Sequence, residues 1–143
     1  MNKNIHFFTS KARFYIEEKG KLREWLENVI VKNDKIPGEI NLIITNDRNL
    51  NNINIKYLNT DTYTDIITFN LSEEEDIISG DIYISIDRVE ENAKIYDVST
   101  KEELRRVLVH GVLHLIGYKD SSPAEKRIMT RMENKFLEDY IRN

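Results

Sequence analysis

His110 and His114, with Gly117 and Asp120 behind them, are the residues of this chain whose types and spacing suit metal chemistry. They lie in the run His110-Gly111-Val112-Leu113-His114-Leu115-Ile116-Gly117-Tyr118-Lys119-Asp120. Positions four apart on an α-helix share a face, so both imidazoles stand one turn apart on the same side. That spacing gives a rigid pair of nitrogen ligands for a single metal ion. Gly117 can end the helix, and Asp120 can then swing back as a third ligand. Zinc accepts neutral imidazole nitrogen and carboxylate oxygen, and three protein ligands leave one position open for water, whose pKa falls towards ~7. The implied chemistry is hydrolysis, with a hydroxide nucleophile and a polarised carbonyl or phosphoryl oxygen.

The helical pair, the glycine turn and the third ligand repeat the spacing of the metzincin metalloproteases. One position differs. Those proteases carry Glu beside the first histidine as general base, and here that position is Gly111. The expectation is a metal site without a proteolytic base at its usual place, with glycine leaving room beside the metal for a bulky substrate. Plainer roles compete. A histidine on an apolar helix is usually a core residue, and Asp120 can instead cap the final helix near Pro123. His6 stands far away among aromatic neighbours and reads as structural.

These residues need elements to hold them. Ser99-Thr100 followed by Glu102-Glu103 resembles a capping box and opens the helix that carries the motif, with Leu104, Val107, Leu108 and Leu115 as its apolar stripe. Pro123 suits the first turn of a last helix running to about Ile141. Upstream, residues 21–33 read as an amphipathic helix, with Leu22, Trp25, Leu26, Val29 and Ile30 on one side. After the Pro37-Gly38 turn signal, residues 39–45 read as a strand. Residues 46–58 are ambiguous, rich in Asn and only loosely periodic. Residues 64–70 are β-branched and aromatic, hence a strand, and residues 72–76 an acidic loop. Ile82, Ile84 and Ile86 alternate with Asp81, Tyr83 and Ser85 in a half-buried strand. The short gap between these two strands favours an antiparallel pair. Asp87 is placed to cap a helix over 88–95. Strands early and helices late argue for an α+β fold, a small sheet packed against several helices.

Composition bounds the function. The chain has 143 residues, 40% hydrophobic and 32% charged, as expected for one globular domain over residues 1–143. No apolar stretch reaches membrane-spanning length, and no signal peptide is evident at the N-terminus. The absence of cysteine excludes disulfides and thiolate metal sites. These features point to the cytoplasm. The net charge of −4 excludes a globally basic nucleic-acid binder, so an RNA contact needs a local patch. Lys101, Arg105 and Arg106 before the motif and Lys126, Arg127 and Arg131 after it are the candidates, with a solvated helix face as the plainer reading.

The run from His110 to Tyr118 resembles the signature of the YbeY family, bacterial metal-dependent endoribonucleases of ribosomal RNA maturation. Thr64-Asp65-Ile66-Ile67-Thr68-Phe69 resembles that family's Thr-Asp-Val-Leu-Ser-Phe strand, and Gly80-Asp81-Ile82 its Gly-Asp-Ile strand. Glu91-Asn92-Ala93 and Glu102 to Val107 also fit, so the similarity runs from about Ile40 to Glu133. The resemblance implies an α+β fold with a zincin-like site and a zinc-type ion. It implies single-strand-specific cleavage of RNA, with the 3′ end of 16S rRNA, the ribosomal small subunit and ribosome quality control as its setting. The chain departs from the family pattern at Asp120, where most members have a third histidine, and at Lys119, where they have aspartate. A carboxylate there makes bound water somewhat less acidic and favours harder metals. With Asp61 and Thr64 as fixed points, Leu58 takes the place of an arginine thought to contact RNA. Lys56 is near, but lysine lacks arginine's bidentate fork. Lys56, Arg105 and Arg106 are the candidate RNA contacts. The rival readings are an assembly factor with a mainly structural metal and a metalloprotease.

Overall fold

Ile78, Ile82 and Ile84 project to one side of β4 (Ile77–Ser85) and are buried, which makes this strand the spine of the molecule. The computed structural model describes residues 4–58 and 64–142. β4 pairs on one side with β2 (Ile36–Thr45), in parallel, and on the other with β3 (Ile66–Asn70), antiparallel. β1 (Ile5–Thr9) adds in parallel to β2, giving a mixed four-stranded sheet in the order β1-β2-β4-β3. Among the described residues, five helices complete an α+β architecture: α1 (Lys19–Lys32), α2 (Asp47–Leu58), α3 (Ile86–Tyr96), α4 (Thr100–Ile116) and α5 (Pro123–Arg142). Asp61, used to align Leu58 with the family arginine, lies outside the described residues.

The core forms where α1 and α4 meet the sheet. Leu26, Val29 and Ile30 from α1 and Leu108, Val112 and Leu113 from α4 are fully buried with Ile40, Leu42 and Ile82. Each such side chain contributes about 1.5–3 kcal/mol by leaving water. α5 is tied to α1 by the Trp25 indole N–H, which donates to the Phe136 carbonyl at 2.7 Å, and by the edge-on packing of Trp25 against Tyr140.

Gly111 is the point where α4 touches the sheet. A Cβ there would lie 2.8 Å from Ile66 Cδ1 and 2.9 Å from Ile82 Cγ2. The residue after His110 is rotated by about 100° around the helix, away from the histidine face and onto the core. This corrects the expectation that the glycine opens space beside a metal. It permits close packing, and the position of the proteolytic base faces isoleucines. Gly111→Ala gains about 1 kcal/mol of helix propensity and loses about 1–3 kcal/mol to overpacking. A net loss of up to about 2 kcal/mol in urea unfolding is expected. Unchanged or increased stability would mean that the helix moves off the sheet at no cost.

Other boundaries differ from the sequence reading in instructive ways. The cap of α3 is Ser85, whose hydroxyl accepts from the Arg88 N–H, and not Asp87. Asp87 instead accepts from the Asp47 N–H at 2.9 Å, supporting the start of α2. The ambiguous segment 46–58 forms α2, with Asn46 accepting from the Asn49 N–H at its start and only Leu50 and Asn54 buried. β1 carries no local turn signal, and Ile5 is its one fully buried side chain. His6 on β1 pairs with Glu39 on β2 at 3.0 Å, a surface contact. The capping box at Ser99 and Glu102 and the start of α5 at Pro123 are found as expected.

Candidate metal centre and the cleft beside it

α4 delivers both histidines, and its end delivers the aspartate. Gly117 takes φ 125°, a conformation natural to glycine, and its N–H closes the helix on the His114 and Leu113 carbonyls. The Tyr118 N–H also returns to the Leu113 carbonyl, and the Tyr118 hydroxyl donates to Asn33 at 2.7 Å. The chain is thereby turned so that Asp120 faces the histidines. The competing role for Asp120, capping α5, is already filled. Ser122 accepts from the Glu125 N–H, and the Glu125 carboxylate accepts from the Ser121 and Ser122 N–H groups.

His110 Nε2 and His114 Nε2 are 3.0 Å apart, and Asp120 Oδ2 lies 3.3 Å from each. Donors bound tetrahedrally at about 2.0–2.1 Å from a zinc-sized ion are separated by ~3.3 Å. The triangle therefore has the size of one face of such a tetrahedron, and the three residues form a group able to hold a metal ion. Two neutral nitrogens and one carboxylate oxygen are also a donor set that divalent metals accept.

Glu133 of α5 was not singled out by sequence. Its carboxylate meets His110 Nδ1 at 2.7 Å, fixing the ring so that Nε2 faces His114 and Asp120. Arg106 holds the other carboxylate oxygen at 2.8 Å and donates a second hydrogen bond to Asn134. A signal did exist. Met129, Glu133, Phe136 and Tyr140 form the buried stripe of α5, and a glutamate in such a stripe needs a partner. Burial pulls the His110 pKa down, but the hydrogen bond and charge of Glu133, with Asp120 and Asp65, carry it above the ordinary histidine value.

A cleft of about 730 Å³ between α3, α4 and α5 opens beside His110. Arg105 and Arg106 line it, and Lys56 does not. Arg105 also packs over the Tyr140 ring, 4.7 Å from its centroid. The Tyr140 hydroxyl is pushed up to about 12 by burial and by its hydrogen bond to Glu18. Lys101 is paired with Glu17, whereas Lys126, Arg127 and Arg131 are exposed along α5. Lys56 lies over the Tyr57 ring near the end of α2, and Leu58 is half exposed there. Glu103 also lines the cleft although it is only 5% exposed. Burial pushes its carboxyl pKa up, against the opposing charge of Arg106.

The family model described as Endoribonuclease YbeY matches residues 5–141. The chain belongs to the YbeY family. A relative from Flavobacterium johnsoniae, named Endoribonuclease YbeY, is 46% identical over 128 residues, 90% of this chain and 91% of the relative. One from Cytophaga hutchinsonii bearing the same name is 42% identical over 133 residues, 93% of each chain. A solution structure of a Thermotoga maritima protein superposes with a TM-score of 0.66 at 28% identity, covering 95% of this chain and 88% of that one. The matched region includes the sheet, both histidines, Asp120 and Glu133, so the YbeY resemblance extends beyond the histidine motif to the elements that position it.

Proposed function

We propose that this protein is a zinc-dependent, single-strand-specific endoribonuclease, a hydrolase of RNA phosphodiester bonds. Its expected setting is maturation of the 3′ end of 16S rRNA and ribosome quality control, in the cytoplasm and in contact with the ribosomal small subunit. The observation that carries the reading is the ligand triangle at the edge of a nucleotide-sized cleft in a chain of this family. His110, His114 and Asp120 would hold the ion. When bound, the metal lowers the pKa of water and polarises a phosphoryl oxygen. Glu133 keeps the His110 ring in one orientation, and Arg106 balances the carboxylate that does so. Arg105 and Arg106 line the cleft and would meet the phosphate charge of RNA there. Lys56, outside that lining, would meet RNA only beyond the cleft. Residues 1–143 act together as one domain in this reading.

The test is cleavage of single-stranded and duplex RNA by purified protein, before and after a chelator. Cleavage of the single strand should vanish with chelation and return with added zinc. Cleavage that persists in the chelator would overturn the metal mechanism.

A further inference from the structure

Glu103 stands about 10 Å along α4 from His110, two turns earlier on the same helix face. It is therefore too distant to serve the metal centre directly. Its residue is 95% buried by the measure of its 5% exposure, yet its carboxylate has no hydrogen bond or ion pair among the described residues. The charges that act on it, Arg106, Asp65 and Glu133, all line the same cleft as Glu103 itself. The carboxylate oxygens are not among the buried unpaired atoms of the described residues, so they keep contact with solvent and are open to a ligand entering a cavity large enough for a nucleotide. Beside it, Tyr96 at the end of α3, a residue 65% exposed, lines the cleft, and its ring offers a surface on which an unpaired base can stack. Val107 and Leu137 supply apolar lining.

The chemistry of the free carboxylate selects among the bases. Guanine presents two adjacent donors, N1–H and N2–H, on its Watson–Crick edge, and a carboxylate accepts both at once. Adenine and cytosine each set one amino donor beside a ring-nitrogen acceptor, and uracil sets its one donor between two carbonyls. Each of those arrangements leaves a carboxylate oxygen facing an acceptor.

We propose that the cleft between α3, α4 and α5 is a base-recognition subsite for an unpaired guanine near the cleavage point, read by Glu103 and stacked on Tyr96. The subsite rests on the single-stranded RNA reading above and adds a base preference to it. The test is titration of the full-length, metal-free protein with GMP, IMP and AMP. GMP should bind roughly 10- to 100-fold more tightly than AMP, the discrimination expected of one bidentate contact. IMP, which lacks the N2 amino group, should fall between them. Glu103→Gln, which keeps the side chain's shape, should erase most of the GMP preference. Tyr96→Ala should weaken all three ligands while leaving their order unchanged. Equal binding of GMP and AMP, no binding of either, or a preference untouched by Glu103→Gln would overturn the subsite. Metal-loaded cleavage of single-stranded RNA is measured in parallel. Cleavage without guanine preference would leave the nuclease standing and the subsite refuted, whereas GMP preference without cleavage would refute the nuclease alone.

Discussion

His114→Ala should remove metal binding and RNA cleavage together while leaving the fold intact. His114 sits at the rim of the core with a 26% exposed side chain. Its loss leaves His110 and Asp120, one nitrogen and one oxygen 3.3 Å apart. Two ligands do not enforce the geometry that three impose, and metal content should fall from one ion per chain to well below it. Without a bound ion to supply its chemistry, the cleavage rate should drop on the order of 10³-fold or more. Circular dichroism and the unfolding midpoint of the metal-free protein should match those of the parent. Undiminished cleavage would point to a contaminating ribonuclease and exclude the mechanism. Asp120→Ala is the companion variant. Wild-type metal affinity in that protein would remove Asp120 from the ligand set.

The motif and its supports were legible in the sequence for different reasons. Spacing alone fixes the relation of His110 to His114 on any helix, and Gly117 announces the turn that returns Asp120. The capping box at Ser99 and the alternation in β4 are likewise local, written within a few residues. What local reasoning missed depends on partners distant in the chain. Glu133 meets His110 across 23 residues, and the buried stripe of α5 that calls for a partner does not say which residue supplies it. β1 is strand because β2 lies beside it, with a single fully buried side chain to mark it. Gly111 shows the opposite case. Its place beside His110 suggests a role at the metal. Helical geometry turns it onto Ile66 and Ile82, where packing decides.

Glu133→Gln should weaken metal binding by about 10- to 100-fold without dismantling the site. The amide keeps the shape of the carboxylate and can still accept from His110 Nδ1–H, so the ring need not turn. What it loses is negative charge, which now raises the basicity of His110 and anchors Arg106 at 2.8 Å. A merely structural role for Glu133 predicts a different result, a fall in stability with metal affinity unchanged. Competition titration of metal against a chelating dye separates the two, because it reads affinity and is blind to RNA binding. Arg106→Ala refines the assignment. Removing the arginine leaves the Glu133–His110 contact in place, so metal affinity should fall less than in Glu133→Gln. The cost should appear instead in stability, because a 91% buried side chain loses its counter-charge, judged by the 9% exposure of Glu133. If Arg106→Ala were the more damaging variant for metal binding, the order of the relay would be reversed. Arg106 would then position Glu133, and the carboxylate alone would not suffice to hold the His110 ring.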